Sequence, residues 1–434
     1  MSALEVGAIL FGIFGVLIVL RIPVAFALGI ACIPVFFMDE RLTPFLLLNE
    51  MLKSYNSFVL LAVPFFMLSA NLMNSAGVTE RLMDLARTMV GQFPGGLGHV
   101  NVLVSMIFAG ISGSSTAEAA GIGGVMIPAM KRQGYDTNFT VALTACAAVM
   151  GVIIPPSILM VVWGGVISVS IGALFLAGVL PGVMIGLALM GAVYVYAKRR
   201  GYPVYARATL REFFCAAWRA LLPIATPGII VGGIVGGFFT PTEASVIAVL
   251  YALLLGVFVL RSIDVGKLPA VFYESARFAA IALFCIGTAS AFGWLLAYFH
   301  IPQLCIDAVK GLGGGITSVG FITALAFLFI GCFIDAIPAI IIVGTVLEPV
   351  ARSVGMHPLH FAIVGVISIA FGLVTPPYGL CLMISCVLGE TTIAAAFKDT
   401  MILLSLMLAV LLFVILAPDA VLALPRLLMP KFVT

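Results

Sequence analysis

The sequence runs to 434 residues, 63% of them hydrophobic and only 9% charged, with a formal net charge of +3. Soluble domains are about 45–50% apolar and about 25% charged, so a water-soluble fold is excluded. With so few charges, the positions of the basic residues carry more information than their sum.

Apolar runs near the length that a bilayer core asks of a helix, about 17–25 residues, recur along the chain. They fall at 6–20, 22–38, 57–74, 171–197, 221–239, 245–260, 278–299 and 401–417. The first has no basic flank and no Ala-x-Ala-like cleavage site, and a second span follows at once, so it reads as a span and not a signal peptide. Cys32, Cys146, Cys215, Cys285, Cys305, Cys332, Cys381 and Cys386 are scattered through apolar stretches with no Cys-x-x-Cys. They read as small packing residues, not as metal ligands or a disulfide framework.

Sliding the chain by 221 positions lays Gly110 on Gly331, Gly123 on Gly344, Pro128 on Pro349, Gly134 on Gly355, Gly151 on Gly372 and Pro155-Pro156 on Pro376-Pro377. These are backbone-special residues, so what repeats is a chain path. The reading is two repeats, 1–213 and 222–434, meeting in a polar cytoplasmic linker at 198–221.

Segment 99–130 is polar in its middle, Ser112-Gly113-Ser114-Ser115-Thr116, and is closed by Lys131-Arg132. Two arms of about 16 residues reach about 24 Å, short of a core of about 30 Å, which predicts a re-entrant helical hairpin. Its tip must be buried in protein or line a water-filled cavity. The next segment, 137–165, is long enough to cross but holds Pro155-Pro156, which predicts a broken helix. The counterparts are a hairpin at 316–350 and a broken helix at 358–388.

Five crossings per half are an odd number, so the second half starts on the opposite face and the repeat is inverted, as is common in secondary transporters. Basic residues collect on the cytoplasmic side. Grouping Arg21, Lys131, Arg132, Lys198, Arg199, Arg200, Lys398 and others inside leaves only Arg41, Lys53, Lys310, Arg352, Arg426 and Lys431 outside. Both termini are then expected in the periplasm. The fold class predicted is an all-α polytopic membrane protein with two hairpins and two broken helices.

Broken helices expose carbonyl oxygens at one half-helix and N–H groups with a positive dipole end at the other. Hydroxyls and carbonyls suit a hard cation, and helix N-termini suit an anion. The first tip offers Ser112, Ser114, Ser115 and Thr116 close to the break at 151–156. In the second half Asp335 stands where the first has Ser114, facing Thr375 and the break at 372–377.

An ionised Asp at mid-membrane costs about 2.5–3.5 kcal/mol, and no Lys or Arg lies in that hairpin to offset it. Asp335 reads as a cation ligand or a helix cap. The tip serines read as ligands or as small residues that let helices pack closely. Glu118, the other deep acid, lies three positions after Ser115 and reads as the end of a Ser-x-x-Glu capping box or as a functional acid. Thr240-Pro241-Thr242-Glu243 reads as a turn opening a helix. His99, His300, His357 and His360 fall at expected membrane boundaries, away from any relay at the tips.

Residues 109–157, AGISGSSTAEAAGIGGVMIPAMKRQGYDTNFTVALTACAAVMGVIIPPS, resemble the signature region of the large membrane subunit of TRAP (tripartite ATP-independent periplasmic) transporters, DctM-like permeases of the ion transporter superfamily. The likeness extends to LLAVPFFMLSANLMNSAG (60–77), PGGLGHVNV (94–102), FTPTEAS (239–245) and FGLVTPPYG (371–379).

The resemblance implies sodium-coupled uptake of a small organic acid such as a C4-dicarboxylate or sialic acid in the bacterial inner membrane. It implies two partners, a periplasmic DctP-like binding protein and a DctQ-like small subunit with four spans, expected here as a separate chain. It also implies an elevator motion of the hairpins and broken helices against a static scaffold. Carried over by position, one sodium site would use Ser112 and Ser114 with backbone at Gly151, Ile154 and Pro156. The other would use Asp335 with backbone near Gly372, Thr375 and Pro377. Ser115, Thr116, Asn71, Pro155 and Pro376 are the substrate candidates. Between 278 and 299 there is no Arg or Lys to clamp a carboxylate.

Three other readings compete. Gly110-Ile111-Ser112-Gly113 matches the Gly-x-Ser-Gly of rhomboid-like proteases, but that chemistry needs a base beside the serine. A passive channel for small anions is harder to dismiss on sequence alone, although paired hairpins at one central site favour alternating access. A primary pump would need a Gly-x-x-x-x-Gly-Lys-Ser/Thr loop, which is absent from the sequence.

Overall fold

The computed structural model describes residues 2–311 and 314–433, without the side chain of Lys310. The expected placing of the Lys310 side chain therefore lies outside the described residues. The described chain is helical almost throughout, with no strand among these residues. The first half supplies α1 (Ala3–Val19), α2 (Val24–Met38), α3 (Pro44–Tyr55), α4 (Ala62–Ser75), α5 (Val78–Val90), α6 (Gly96–Ser112), α7 (Ser115–Arg132), α8 (Thr137–Ala148), α9 (Ile158–Ile167) and α10 (Ile171–Arg200). The second supplies α11 (Leu210–Val235), α12 (Pro241–Leu253), α13 (Leu268–Tyr298), α14 (Ile301–Gly311), α15 (Ile316–Gly331), α16 (Ala336–Ser353), α17 (Pro358–Gly372), α18 (Leu380–Gly389), α19 (Ile393–Leu416) and α20 (Pro418–Leu428).

By length and composition, six helical segments among the described residues could each cross a membrane: α10, α11, Pro241–Val259, Val265–Tyr298, α16 and α19. Large apolar side chains such as Leu187, Trp218, Leu250, Phe258 and Ile281 are exposed on them. Apolar faces of that extent need lipid or a partner, not water.

The 221-residue shift that aligns the sequence carries the ends of α7 onto the ends of α16. It carries α3 and α4 together onto the single helix α13. The difference has a local cause. The first half has Asn56-Ser57 where the second has Arg277-Phe278, and Asn and Ser compete with helix by bonding to nearby backbone. Residues 58–61 accordingly form turns.

The expected span at 57–74 is therefore a shorter helix, α4. The expected linker at 198–221 is also mostly helical, because α10 runs on to Arg200 and Thr209 with Glu212 forms a capping box that starts α11. Only 201–209 lies between them. Thr240 caps α12 with Glu243 in a second such box, Pro241 at its first position, as the sequence predicts.

Four amphipathic helices, α3, α5, α14 and α20, escape a search for unbroken apolar runs. In α5 the buried residues Val78, Leu82, Leu85 and Ala86 recur at helical spacing between exposed Asp84 and Arg87, so one face packs and the other stays polar.

The two hairpins and two broken helices interlock. The hairpin α6–α7 packs on α8 and on α18, and the hairpin α15–α16 packs on α17 and on α9. Trp163 of α9 is fully buried, with Phe327 of α15 at 5.3 Å and Phe361 of α17 at 5.7 Å between ring centroids. A second layer joins α13 to α2, α3 and α4, and α4 to α12. Polar contacts gather several helix ends on one face. The Lys131 ammonium donates to the Gly389 carbonyl at 3.0 Å, while Arg200 reaches Asp136 at 3.4 Å and Asp399 at 3.5 Å.

Candidate functional site

The first hairpin turns at Gly113 and Ser114, between the end of α6 and the start of α7. Gly113 adopts φ +63°, a left-handed conformation that disfavours any residue with a Cβ. A Cβ built there would also lie 2.9 Å from the Pro156 carbonyl oxygen. The Ile158 amide donates to the Gly113 carbonyl at 3.2 Å, which stitches the tip to the break between α8 and α9.

Ser114 caps α7, accepting from the Ala117 amide at 3.4 Å, and its hydroxyl lies 3.2 Å from that of Thr116. In the break itself, Ser157 caps α9. Its hydroxyl accepts from the Met160 amide at 3.2 Å and donates to the Val152 carbonyl at 2.7 Å. Gly151, Pro155 and Pro156 are buried here and Ile154 is half-buried.

The second hairpin turns through 332–335. Asp335 caps α16, its carboxylate accepting from the Ala336 amide at 2.8 Å, and the residue is exposed at the tip. Capping uses one carboxylate oxygen and leaves the other for a further partner. In the break between α17 and α18 the Thr375 hydroxyl donates to the Phe371 carbonyl at 2.7 Å. Its lone pairs stay free. Pro376 is half-buried and Pro377 exposed. Gly372 packs directly on Gly331, backbone to backbone: a Cβ on Gly372 would lie 2.6 Å from the Gly331 Cα.

The two tips meet. Ser114, Ser115, Thr116 and Asp335 share the wall of a cavity of about 80 Å³ with Ile158 and Ala336. The N-termini of α7, α9 and α16 thus converge on one space, and each brings unpaired N–H groups and a positive dipole end. At about 30 Å³ per water, the cavity holds two or three waters. Two larger cavities of about 570 Å³ lie beside α10–α11 and α5–α11, but neither holds a hairpin tip or a helix break.

Not every sequence candidate reaches this cavity. The Asn71 amide donates to the Ser275 hydroxyl at 2.8 Å, pairing α4 with α13. Pro155 and Pro376 lie in the breaks, outside the cavity wall. The histidines sit elsewhere. His99 is at the start of α6, the end opposite Ser112, and His360 in the first turn of α17 bonds to the Val414 carbonyl at 2.8 Å.

Glu118 overturns the sequence reading. The cap of α7 is Ser114 and not Ser115, so Glu118 lies one position too far along to close a capping box. It turns inward and is fully buried. Its Oε1 accepts from the Ser112 hydroxyl at 2.8 Å, and its carboxyl rests on Gly151, where an added Cβ would lie 2.6 Å from Oε1. The other oxygen, Oε2, is buried without a hydrogen-bond partner. The signal in the sequence was the acid itself, since an ionisable residue inside an apolar segment points to function by default.

The chain matches the family model described as tripartite ATP-independent periplasmic transporter, DctM component, over residues 11–420. It is 36% identical over 422 residues to the sialic acid TRAP transporter large permease protein SiaM of Vibrio cholerae serotype O1, covering 97% of this chain and 98% of that protein. It is 35% identical over 377 residues to the C4-dicarboxylate TRAP transporter large permease protein DctM of Pseudomonas aeruginosa, covering 87% and 88%. Among solved structures, the Alcanivorax borkumensis YdaH transporter superimposes with a TM-score of 0.60 at 14% identity, covering 86% of this chain and 88% of that one. At that identity the likeness shows the fold alone.

An all-helical chain with long apolar segments and paired hairpins and helix breaks, matched along nearly its whole length, belongs to the DctM family: it is a large permease component of a TRAP transporter, a transport protein and not an enzyme.

Proposed function

We propose that this permease imports a small organic acid across the bacterial inner membrane, driven by sodium, by an elevator motion of its hairpins and broken helices. The observation that carries the substrate class is the convergence of three helix N-termini and the hydroxyls of Ser114, Ser115 and Thr116 on one cavity. Such a site binds a carboxylate without needing a basic side chain. The V. cholerae and P. aeruginosa relatives are named for sialic acid and C4-dicarboxylate, both carboxylates.

Sodium coupling is supported by Ser114 and Asp335 in the cavity wall, with the helix breaks behind them. One site takes Ser112 and Ser114 with backbone at Gly151, Ile154 and Pro156. The other takes Asp335 with Gly372, Thr375 and Pro377. On this reading the hairpin tips part to widen the cavity of about 80 Å³ when substrate enters.

On this reading the two repeats have inverted topology, both termini face the periplasm, and the interlocked hairpins and helix breaks move as one body against the layer built on α13. The partners are a DctQ-like small membrane subunit and a DctP-like periplasmic binding protein, which delivers the substrate. Exposed apolar side chains such as Phe214 and Trp218 on α11 suit contact with lipid or with the small subunit.

The test is uptake by proteoliposomes that hold this chain and its small subunit, with the binding protein added outside and charged with the ligand that copurifies with it. Accumulation is expected under an inward sodium gradient and not under an equal potassium gradient. Equal uptake in the two would refute the coupling, and non-saturable flux would fit a passive channel instead.

A further inference from the structure

We propose that Glu118 supplies the negative charge of the first cation site, so that each hairpin brings one carboxylate to its own cation. The inference rests on the sodium reading above and deepens it. In the 221-residue register Asp335 falls on Ser114, which suggests that only the second site is charged. Glu118 falls on Ala339, so the first hairpin does carry an acid on its second arm, four residues further along. Four residues are about one helical turn, or about 6 Å of rise.

The packing differs to match. The Cβ-free face of Gly372 is filled by the Gly331 backbone, whereas that of Gly151 is filled by the Glu118 carboxyl. Gly151 is thus a residue that the first cation site shares with Glu118. The Ser112 hydroxyl spends its single proton on Glu118 Oε1. That turns a Ser112 lone pair outward, where the Ser114 amide approaches at 3.4 Å and a second acceptor position remains. Glu118 Oε2 is buried with no hydrogen-bond partner, and no ion pair among the described residues includes Glu118. A buried, unpaired carboxylate oxygen beside a Ser112 hydroxyl with a lone pair to spare, packed against Gly151, brings together the hard oxygen donors that suit a small cation.

The experiment is sodium-dependent thermal stabilisation of the purified complex with its small subunit, with choline holding ionic strength constant. Glu118→Gln keeps an acceptor for Ser112 and removes the charge. It is expected to raise the sodium concentration for half-maximal stabilisation about tenfold or more, the scale of one lost charge-assisted contact. A Glu118→Gln curve that coincides with the wild-type curve overturns the role of Glu118 and leaves the sodium reading standing. A wild-type complex indifferent to sodium overturns both. If Glu118→Gln does not yield a monodisperse complex, Glu118→Asp decides: a curve displaced to higher sodium supports the proposal, and a wild-type curve overturns it.

Discussion

Gly372→Ala tests whether the second hairpin and the second helix break are one packed unit. The added Cβ would lie 2.6 Å from the Gly331 Cα, 2.7 Å from the Gly331 carbonyl carbon and 2.8 Å from the Leu328 oxygen, all backbone atoms that no rotamer change can move. Relief to an ordinary contact of 3.4 Å needs the two segments to part by about 0.8 Å. Overpacking of this kind costs about 1–3 kcal/mol, against a gain of at most about 1 kcal/mol from replacing glycine in a helix. At about 2–4 °C per kcal/mol, the melting temperature should fall by several degrees. If Gly372 and Thr375 share the proposed second sodium site with Asp335, sodium-dependent stabilisation should weaken with it.

The control is Gly124→Ala in α7, which is exposed and has nothing within 4 Å of an added Cβ. There the helix propensity acts alone, and stability should rise by up to about 1 kcal/mol. Thermal unfolding of both variants in detergent, with the small subunit bound, reads the two signs side by side. A Gly372→Ala protein as stable as Gly124→Ala would refute the packing argument.

Ser157→Ala removes the cap of α9 and leaves the Val152 carbonyl without its donor, so stability should drop by about 1–3 kcal/mol, read as a lower melting temperature. Thr116→Val keeps the shape and takes one hydroxyl from the cavity wall. It should raise the KM for substrate about tenfold with little change in melting, and an unchanged KM would remove Thr116 from the substrate site. Asn71→Ala breaks the contact with Ser275 and should lower stability while leaving KM in place, since Asn71 lies outside the cavity wall.

The hairpins and helix breaks were legible in the sequence because they rest on glycine and proline, whose backbone limits are local. Gly113, Gly151 and the two Pro-Pro pairs announce a chain path whatever surrounds them. The amphipathic helices α3, α5, α14 and α20 were hidden because a search for unbroken apolar runs passes over an alternation of buried and exposed residues. The linker was misjudged for a related reason: Thr209-x-x-Glu212 is a start signal that a polar composition conceals.

The site residues divide in the same way. Ser114 and Asp335 hold equivalent positions in the repeat, and both stand at the meeting tips. Glu118 was misread because Ser115-x-x-Glu118 fits a capping box if the helix starts one residue later than it does. One residue in the cap turns the side chain by about 100°, here from the helix end toward Gly151. Asn71 stands among the substrate candidates as a polar side chain in an apolar stretch, and its partner Ser275, more than 200 positions away, could not be read from spacing.

The central claim is that transport draws on sodium held between the hairpin tips and the helix breaks. The most direct measurement compares substrate accumulation by wild-type and Asp335→Ala complexes in the same proteoliposomes across a series of inward sodium gradients. Wild-type accumulation should climb with the gradient while Asp335→Ala shows none. Undiminished uptake by Asp335→Ala, or wild-type uptake in sodium-free buffer, would contradict the account.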